Sequence, residues 1–113
     1  MPQLAWSRAM TANQSDDRPL ANWKFRRLPY RAYVRLLQKA TTTGVRMTVS
    51  TGSQEICQRS PVQILATAGL TPSPLNTPTL EFIGDAGDEI VISNDEVAAG
   101  TPTVDGIIYV DPV

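Results

Sequence analysis

Apolar and polar positions alternate most cleanly in Val45-Arg46-Met47-Thr48-Val49-Ser50, where Val45, Met47 and Val49 fall on one side and Arg46, Thr48 and Ser50 on the other. A period of two marks a strand with one buried face. Thr51-Gly52 supplies a turn, and the polar run Ser53 to Arg59 returns with Ile56 or Cys57 on its inner face. The pattern predicts a hairpin whose second strand lies at an edge or a contact. Downstream, Leu80-Glu81-Phe82-Ile83, Glu89-Ile90-Val91-Ile92-Ser93 and Gly106-Ile107-Ile108-Tyr109-Val110 are apolar, largely β-branched runs separated by Gly, Asp, Asn and Pro. They predict a β-meander covered on both faces, with Gly84-Asp85-Ala86-Gly87-Asp88 as its first turn.

The rest of the chain patterns less clearly. Trp23 and Phe25 alternate with Lys24 and Arg26, which predicts a strand that Pro29 ends. Residues 31–40 carry two patterns. Tyr33, Leu36, Leu37 and Ala40 fit a helical face, while Ala32, Val34 and Leu36 fit a strand face with Arg35 and Lys39 outward. The Thr41-Thr42-Thr43-Gly44 loop, leading directly into the next strand, favours the strand. Pro61-Val62-Gln63-Ile64-Leu65-Ala66 predicts a further strand with Pro at its first position, where a missing donor does least harm. Thr67 to Thr79 holds Gly69, Pro72, Pro74, Asn76 and Pro78, so it is expected to cross between sheets or to cover an end. Residues 1–22 show no sustained period and read as an extended N-terminal arm before a domain at 23–113. Strand starts at Trp23, Ala32, Val45, Ser53, Val62, Leu80, Glu89 and Val104 predict an all-β chain of about eight strands, a single β-sandwich or jelly-roll-like domain.

Charge changes this picture. Residues 1–60 hold all ten Lys and Arg against Asp16, Asp17 and Glu55, whereas residues 61–113 hold eight acids and no Lys or Arg, although the net charge is only −1. Either the basic half docks on an acidic partner or on the acidic half of another copy, or strands from both halves interleave and the charges average out. With 113 residues, one core is expected. No apolar run long enough to span a bilayer and no secretory signal pattern is visible, and Cys57 is the only cysteine, so folding is expected in the cytosol without an intrachain disulfide.

The candidate chemistry is thin. The chain has no His, so the commonest general base and metal ligand is missing. Cys57 reads as a small core residue, and Asp85, Asp88 and Glu89, flanked by glycines, read as turn residues and not as a calcium loop. Ser7, Ser50 and Ser60 lack a nucleophile elbow. An enzyme is not expected, and no cofactor or metal is assigned. The basic and aromatic stretch Trp23 to Arg35 has the composition of a single-strand nucleic-acid groove, but the acidic pI near 5.2 argues against it.

The arm with its aromatic and basic residues, the edge hairpin Val45 to Arg59, the connection Thr71-Pro72-Ser73-Pro74-Leu75-Asn76-Thr77-Pro78 and the ending Gly106-Ile107-Ile108-Tyr109-Val110-Asp111-Pro112-Val113 resemble small bacteriophage virion proteins. Those are decoration, cement or minor coat proteins with a β-sandwich fold. The resemblance implies a homo-oligomeric structural protein of the virion, assembled in the host cytoplasm. Its partners would be the major capsid protein and copies of itself. The partner-binding residues would be Trp6, Trp23, Phe25, Arg26, Arg27, Arg31 and Arg35, with the arm as the anchor. Deleting residues 1–22 would then abolish incorporation and leave the sandwich folded. The alternative is a free-standing module that binds carbohydrate or single-stranded nucleic acid.

Overall fold

The clear alternation at Val45–Thr51 forms a strand, as do the apolar runs within Ala32–Ala40, Leu80–Gly84, Ile90–Glu96 and Thr103–Pro112, whereas of the strand expected at Pro61–Ala66 only Gln63–Ile64 pairs and Pro61 instead ends the preceding strand. The computed structural model describes residues 2–52, 54–66, 68–69 and 71–113. Its eight strands are β1 (Gln3–Ala9), β2 (Ala32–Ala40), β3 (Val45–Thr51), β4 (Gln54–Pro61), β5 (Gln63–Ile64), β6 (Leu80–Gly84), β7 (Ile90–Glu96) and β8 (Thr103–Pro112). Among the described residues there is no α-helix, only a single 3-10 turn at Lys24–Arg26. Hence no helix is long and apolar enough to cross a membrane.

The strands form two sheets. One runs β1-β8-β2, with β5 and β6 both paired to the far edge of β2; the other runs β4-β3-β7. Strand β2 is the axis of the larger sheet, antiparallel to β8 along its whole length from Ala32↔Pro112 to Ala40↔Val104. Its even-numbered residues face the smaller sheet. Ala32, Val34 and Leu36 pack with Ile108 and Val110 against Val49, Ile90 and Ile92, and Leu20 and Leu28 complete that cluster. A second cluster at the other end joins Ala40 and Val104 to Val45 and Met10. The strand alternative for residues 31–40 holds because these positions pair on both sides, which overrides the local helical period.

Between the two clusters lies a polar row. Gly106 stands opposite Trp6 on one side and Gln38 on the other. A Cβ at position 106 would sit inside the indole of Trp6. The bare backbone therefore lets the ring lie across the central strand and donate from Nε1 to Gln38 Oε1 (3.2 Å). Gln38 in turn exchanges two amide hydrogen bonds with Asn94 of the facing sheet (2.7 and 3.1 Å), and both residues are buried. Every member of this bridge has a partner, which is the condition for burying it without a large penalty.

Several expectations are corrected. The C-terminal runs do not form a meander: β6 pairs with β2, β7 with β3, and β8 with β1 and β2, so successive strands alternate between sheets. Nor are all three covered on both faces: β8 is, between the opposite sheet and the loop over its outer side, while β6 and β7 alternate between more and less buried positions. The arm expectation also fails for residues 3–9, because β1 pairs with β8 from Gln3↔Tyr109 to Ala9↔Thr103 without a register shift. The strand expected from Trp23 is a 3-10 turn at Lys24–Arg26, so the count of eight is met with different members. The Pro-rich connection links β5 to β6 within one sheet, and the sheet change occurs instead at Val62, between β4 and β5. The expected start at Ser53 lies outside the described residues.

Candidate functional site

Residues 10–28 close one side of the molecule. Asp17 bridges Asn94 and Arg27 bridges Glu89 along the outer edge of β7, with further backbone bonds from Glu96 N to Gln14 O (2.8 Å) and from Leu28 N to Asp88 O (2.8 Å). The segment acts as a broken strand on β7. The Glu96 carboxylate pins it, accepting from Asn13 N (3.0 Å) and Ala98 N (3.0 Å). These amides, Asn13 foremost, hold the Glu96 carboxyl below the usual range against the opposing effect of burial. Asn13 and Ala99 adopt left-handed φ of 58° and 54°, which shapes the two turns around that carboxylate.

The seven residues expected to bind a partner are not gathered into one patch. Trp6 faces the interior. Trp23 and Phe25 are half-buried and meet edge to face at 5.7 Å, with Lys24 Nζ 5.0 Å from the Phe25 ring. Arg26 and Arg27 share Glu89 (3.2 and 3.8 Å), and Arg27 also donates to Gly87 O (3.0 Å). Arg31 meets Asp85 (3.6 Å). Arg35 meets Asp111 (3.3 Å) and lies over the Tyr109 ring at 4.8 Å. Lys39–Asp105 (2.8 Å) and Arg59–Asp95 (2.9 Å) repeat the pattern. Each of these pairs joins the basic half of the sequence to the acidic half. Strands from both halves therefore interleave in the fold, as the second alternative for the charge asymmetry expected.

The surface that sequence reasoning missed lies on the outer face of the larger sheet. Leu37, Lys39, Asp105 and Ile107 face outward by register yet are buried. The described part of residues 65–79 folds over them: Leu65 N donates to Ala40 O (2.9 Å) and Gly69 N to Asp105 Oδ2 (3.1 Å). At the tip of this flap, Asn76 N and Thr77 N donate to Ser73 O (3.1 and 2.9 Å), placing Pro74 and Leu75 at the corner. Leu75 is 98 % exposed. Beside the flap lies an open groove of about 400 Å³ lined by Arg35, Leu37, Pro74, Thr79, Glu81 and Tyr109, and Ile83 on β6 is half exposed on the same sheet face. The signal was in the sequence: a lone Leu between Pro74 and Asn76 has no core to join.

Chemically the described residues offer no cluster of three His, Cys, Asp or Glu side chains that could hold a metal ion. Asp88 Oδ2 accepts from Asp85 N (3.1 Å), so these two build the turn, and half-buried Cys57 lies 3.7 Å from Met47 O, with its side chain against the main core. No protein-family model, curated protein or solved structure gives a significant match to this chain.

Proposed function

We propose that this chain is a non-enzymatic structural subunit of a larger particle, a decoration or minor coat protein of a bacteriophage virion that adds to a shell of major capsid protein and to copies of itself. The observation that carries this reading is the strand order. Counting residues 10–28 as the second strand through their two isolated bridges, to Asn94 of β7 and to Glu89, and antiparallel β6 as the sixth, with the two-residue parallel β5 set aside, one sheet runs first-eighth-third-sixth and the other second-seventh-fourth-fifth. That order supports reading the chain as a jelly-roll β-sandwich, an architecture shared by viral coat proteins and lectins. Because a fold alone does not determine a function, the surface must carry the rest. An almost fully exposed Leu75 on a Pro-stiffened turn supports apolar docking, since a rigid apolar knob loses little freedom when it enters a partner's pocket.

Attachment then rests on the flap and the sheet edges, not on an N-terminal arm or a cationic patch. Mass spectrometry and immunogold electron microscopy of purified particles from the source of this chain test the reading. Stoichiometric presence on the particle surface is expected, and its absence from purified particles refutes it. One observation favours glycan binding as the second reading: Tyr109, Arg35 and Glu81 border the outer groove, and carbohydrate sites combine an aromatic face with flanking hydrogen-bonding groups. Specific binding on a glycan array, lost in Tyr109→Ala, would put that reading first.

A further inference from the structure

Strand edges differ in how they are protected. The outer edge of β7 is covered by residues 10–28, and the far edge of β2 by β5 and β6. The free edge of β4 carries two register shifts against β3, a left-handed Arg59 (φ 48°), the charges of Glu55 and Arg59, and a terminal Pro61. Bulges, charges and prolines are the usual means of keeping an edge from pairing. Strand β1 is the least protected of these edges: seven residues in unbroken register, no proline, and a single charged side chain, Arg8, whose guanidinium is held by Asp17 at 2.7 and 2.8 Å.

The hydrogen-bond phase of β1 is fixed by Val110 N donating to Pro2 O (3.0 Å). Even-numbered residues therefore bond β8, and Gln3, Ala5, Ser7 and Ala9 turn their N–H and C=O groups to the open side. Their side chains are exposed, and three of the four are small. We infer that β1 pairs antiparallel with β1 of a second copy about a two-fold axis at Trp6, joining the two larger sheets into one continuous sheet.

In that register Ala5 stands opposite Ser7 of the other copy and Gln3 opposite Ala9. Four hydrogen-bonded pairs form, and no like charges face each other. On the inner side Arg8 meets Leu4 of the other copy, next to an open groove of about 290 Å³ lined by Leu4, Arg8, Arg18, Pro19 and Trp23, where an arginine stem can lie. The contact is isologous, so assembly closes at two. One strand pair buries less than a standard interface of about 1,600 Å², so the dimer is expected to be weak and concentration-dependent. The inference is independent of whether the chain belongs to a particle.

The test is sedimentation and light scattering of the full chain up to about 1 mM, a concentration chosen for an interface of this size, with hydrogen exchange read residue by residue. A concentration-dependent dimer is expected, in which the amides of Gln3, Ala5, Ser7 and Ala9 gain at least about tenfold protection while those of Leu4, Trp6 and Arg8 are protected at every concentration. Two double variants at the same exposed positions separate pairing from folding. Ala5→Lys/Ser7→Lys sets like charges across the axis and should weaken dimerisation at least about tenfold; Ala5→Lys/Ser7→Glu sets opposite charges and should restore it. A strict monomer at the top concentration, a dimer indifferent to both variants, open-ended oligomers, or protection of those four amides only on adding a different protein would each overturn the inference.

Discussion

Residues 10–28 run beside β7 and bury Met10, Asp17, Leu20 and Leu28, whereas the described part of residues 65–79 lies over the larger sheet, buries Pro72 and Thr77, and leaves Leu75 in solvent. Both stretches look like loops in the sequence, rich in Pro, Asn, Asp or Gly. They differ in what their backbone bonds reach. The first exchanges hydrogen bonds with a strand edge that would otherwise be open, so it works as part of the sheet. The second bonds mostly within its own turn and touches the sheet through Leu65 and Gly69. Composition therefore does not tell a structural segment from a presenting one; the destination of its backbone groups does.

The largest effect that can separate the two regions comes from deleting residues 1–22. This removes β1, the Met10 and Leu20 plugs and the Asp17 bridge, and it leaves Gln38 without its indole donor. The expected outcome is loss of cooperative unfolding, read by circular dichroism and urea titration. A truncated chain that melts like the intact one would show these residues to be an appendage after all. The smaller probe Leu20→Ala should cost about 2–5 kcal/mol, as for other fully buried aliphatic truncations.

Next in size is the ion pair beneath the flap. Lys39 is wholly buried and lies 2.8 Å from Asp105, which also accepts from Gly69 N. Asp105→Ala removes one partner from a buried pair and should destabilise by about 3–5 kcal/mol, while Lys39→Met/Asp105→Leu should come within about 1 kcal/mol of the parent or exceed it. If the single variant is neutral in chemical denaturation, the flap does not seal this pair from water.

A milder test uses pH on the first region. The Glu96 carboxyl is held low by the Asn13 amide first and then by those of Ala98, Gly100 and Ala99. Its folded-state value lies below the unfolded one, so its contribution is full above the ordinary glutamate value of about 4.3 and drains away as pH falls through the lowered folded value. Glu96→Gln should lower stability near neutrality and flatten this part of the acid decline. Parallel stability curves for parent and variant between pH 2 and 7 would contradict the assignment. Asp16, lowered by Arg18 and then by Ser93, adds a contribution of the same sign that the variant leaves in place.

Much of the fold was legible. The period of two at Val45–Thr51 and the apolar runs that begin at Leu80, Glu89 and Gly106 became strands, and Gly52 became a turn, because there the side-chain pattern and the backbone pairing agree. Strand β1 was not legible, since Gln3, Ala5, Ser7 and Ala9 face solvent at an edge and only Leu4 and Trp6 mark the inner side. The sheet assignment of β6, β7 and β8 was not legible either, because pattern fixes which face is buried but not which strand lies alongside. Of the candidate site, the charge asymmetry was visible and its consequence was not: only the fold brings Glu89 between Arg26 and Arg27, or Asp111 to Arg35. Gly106 was the overlooked clue, a glycine inside an apolar strand run that marked the close approach of Trp6.

The smallest effect on stability is also the most informative about function. Leu75 makes no core contact, so Leu75→Ser should change the unfolding free energy by no more than about 0.5 kcal/mol. Its value to a partner is different, because burying a leucine side chain on docking is worth about 1.5–3 kcal/mol, or roughly ten- to a hundredfold in affinity for each contact. On a particle with many copies that loss is multiplied through avidity. Under the proposed role as a particle subunit, Leu75→Ser should therefore fold and melt like the parent yet be depleted from purified particles. Equal incorporation of parent and variant would move the contact elsewhere, whereas depletion together with a lowered melting temperature would place the flap with the structural segments and erase the distinction between the two regions.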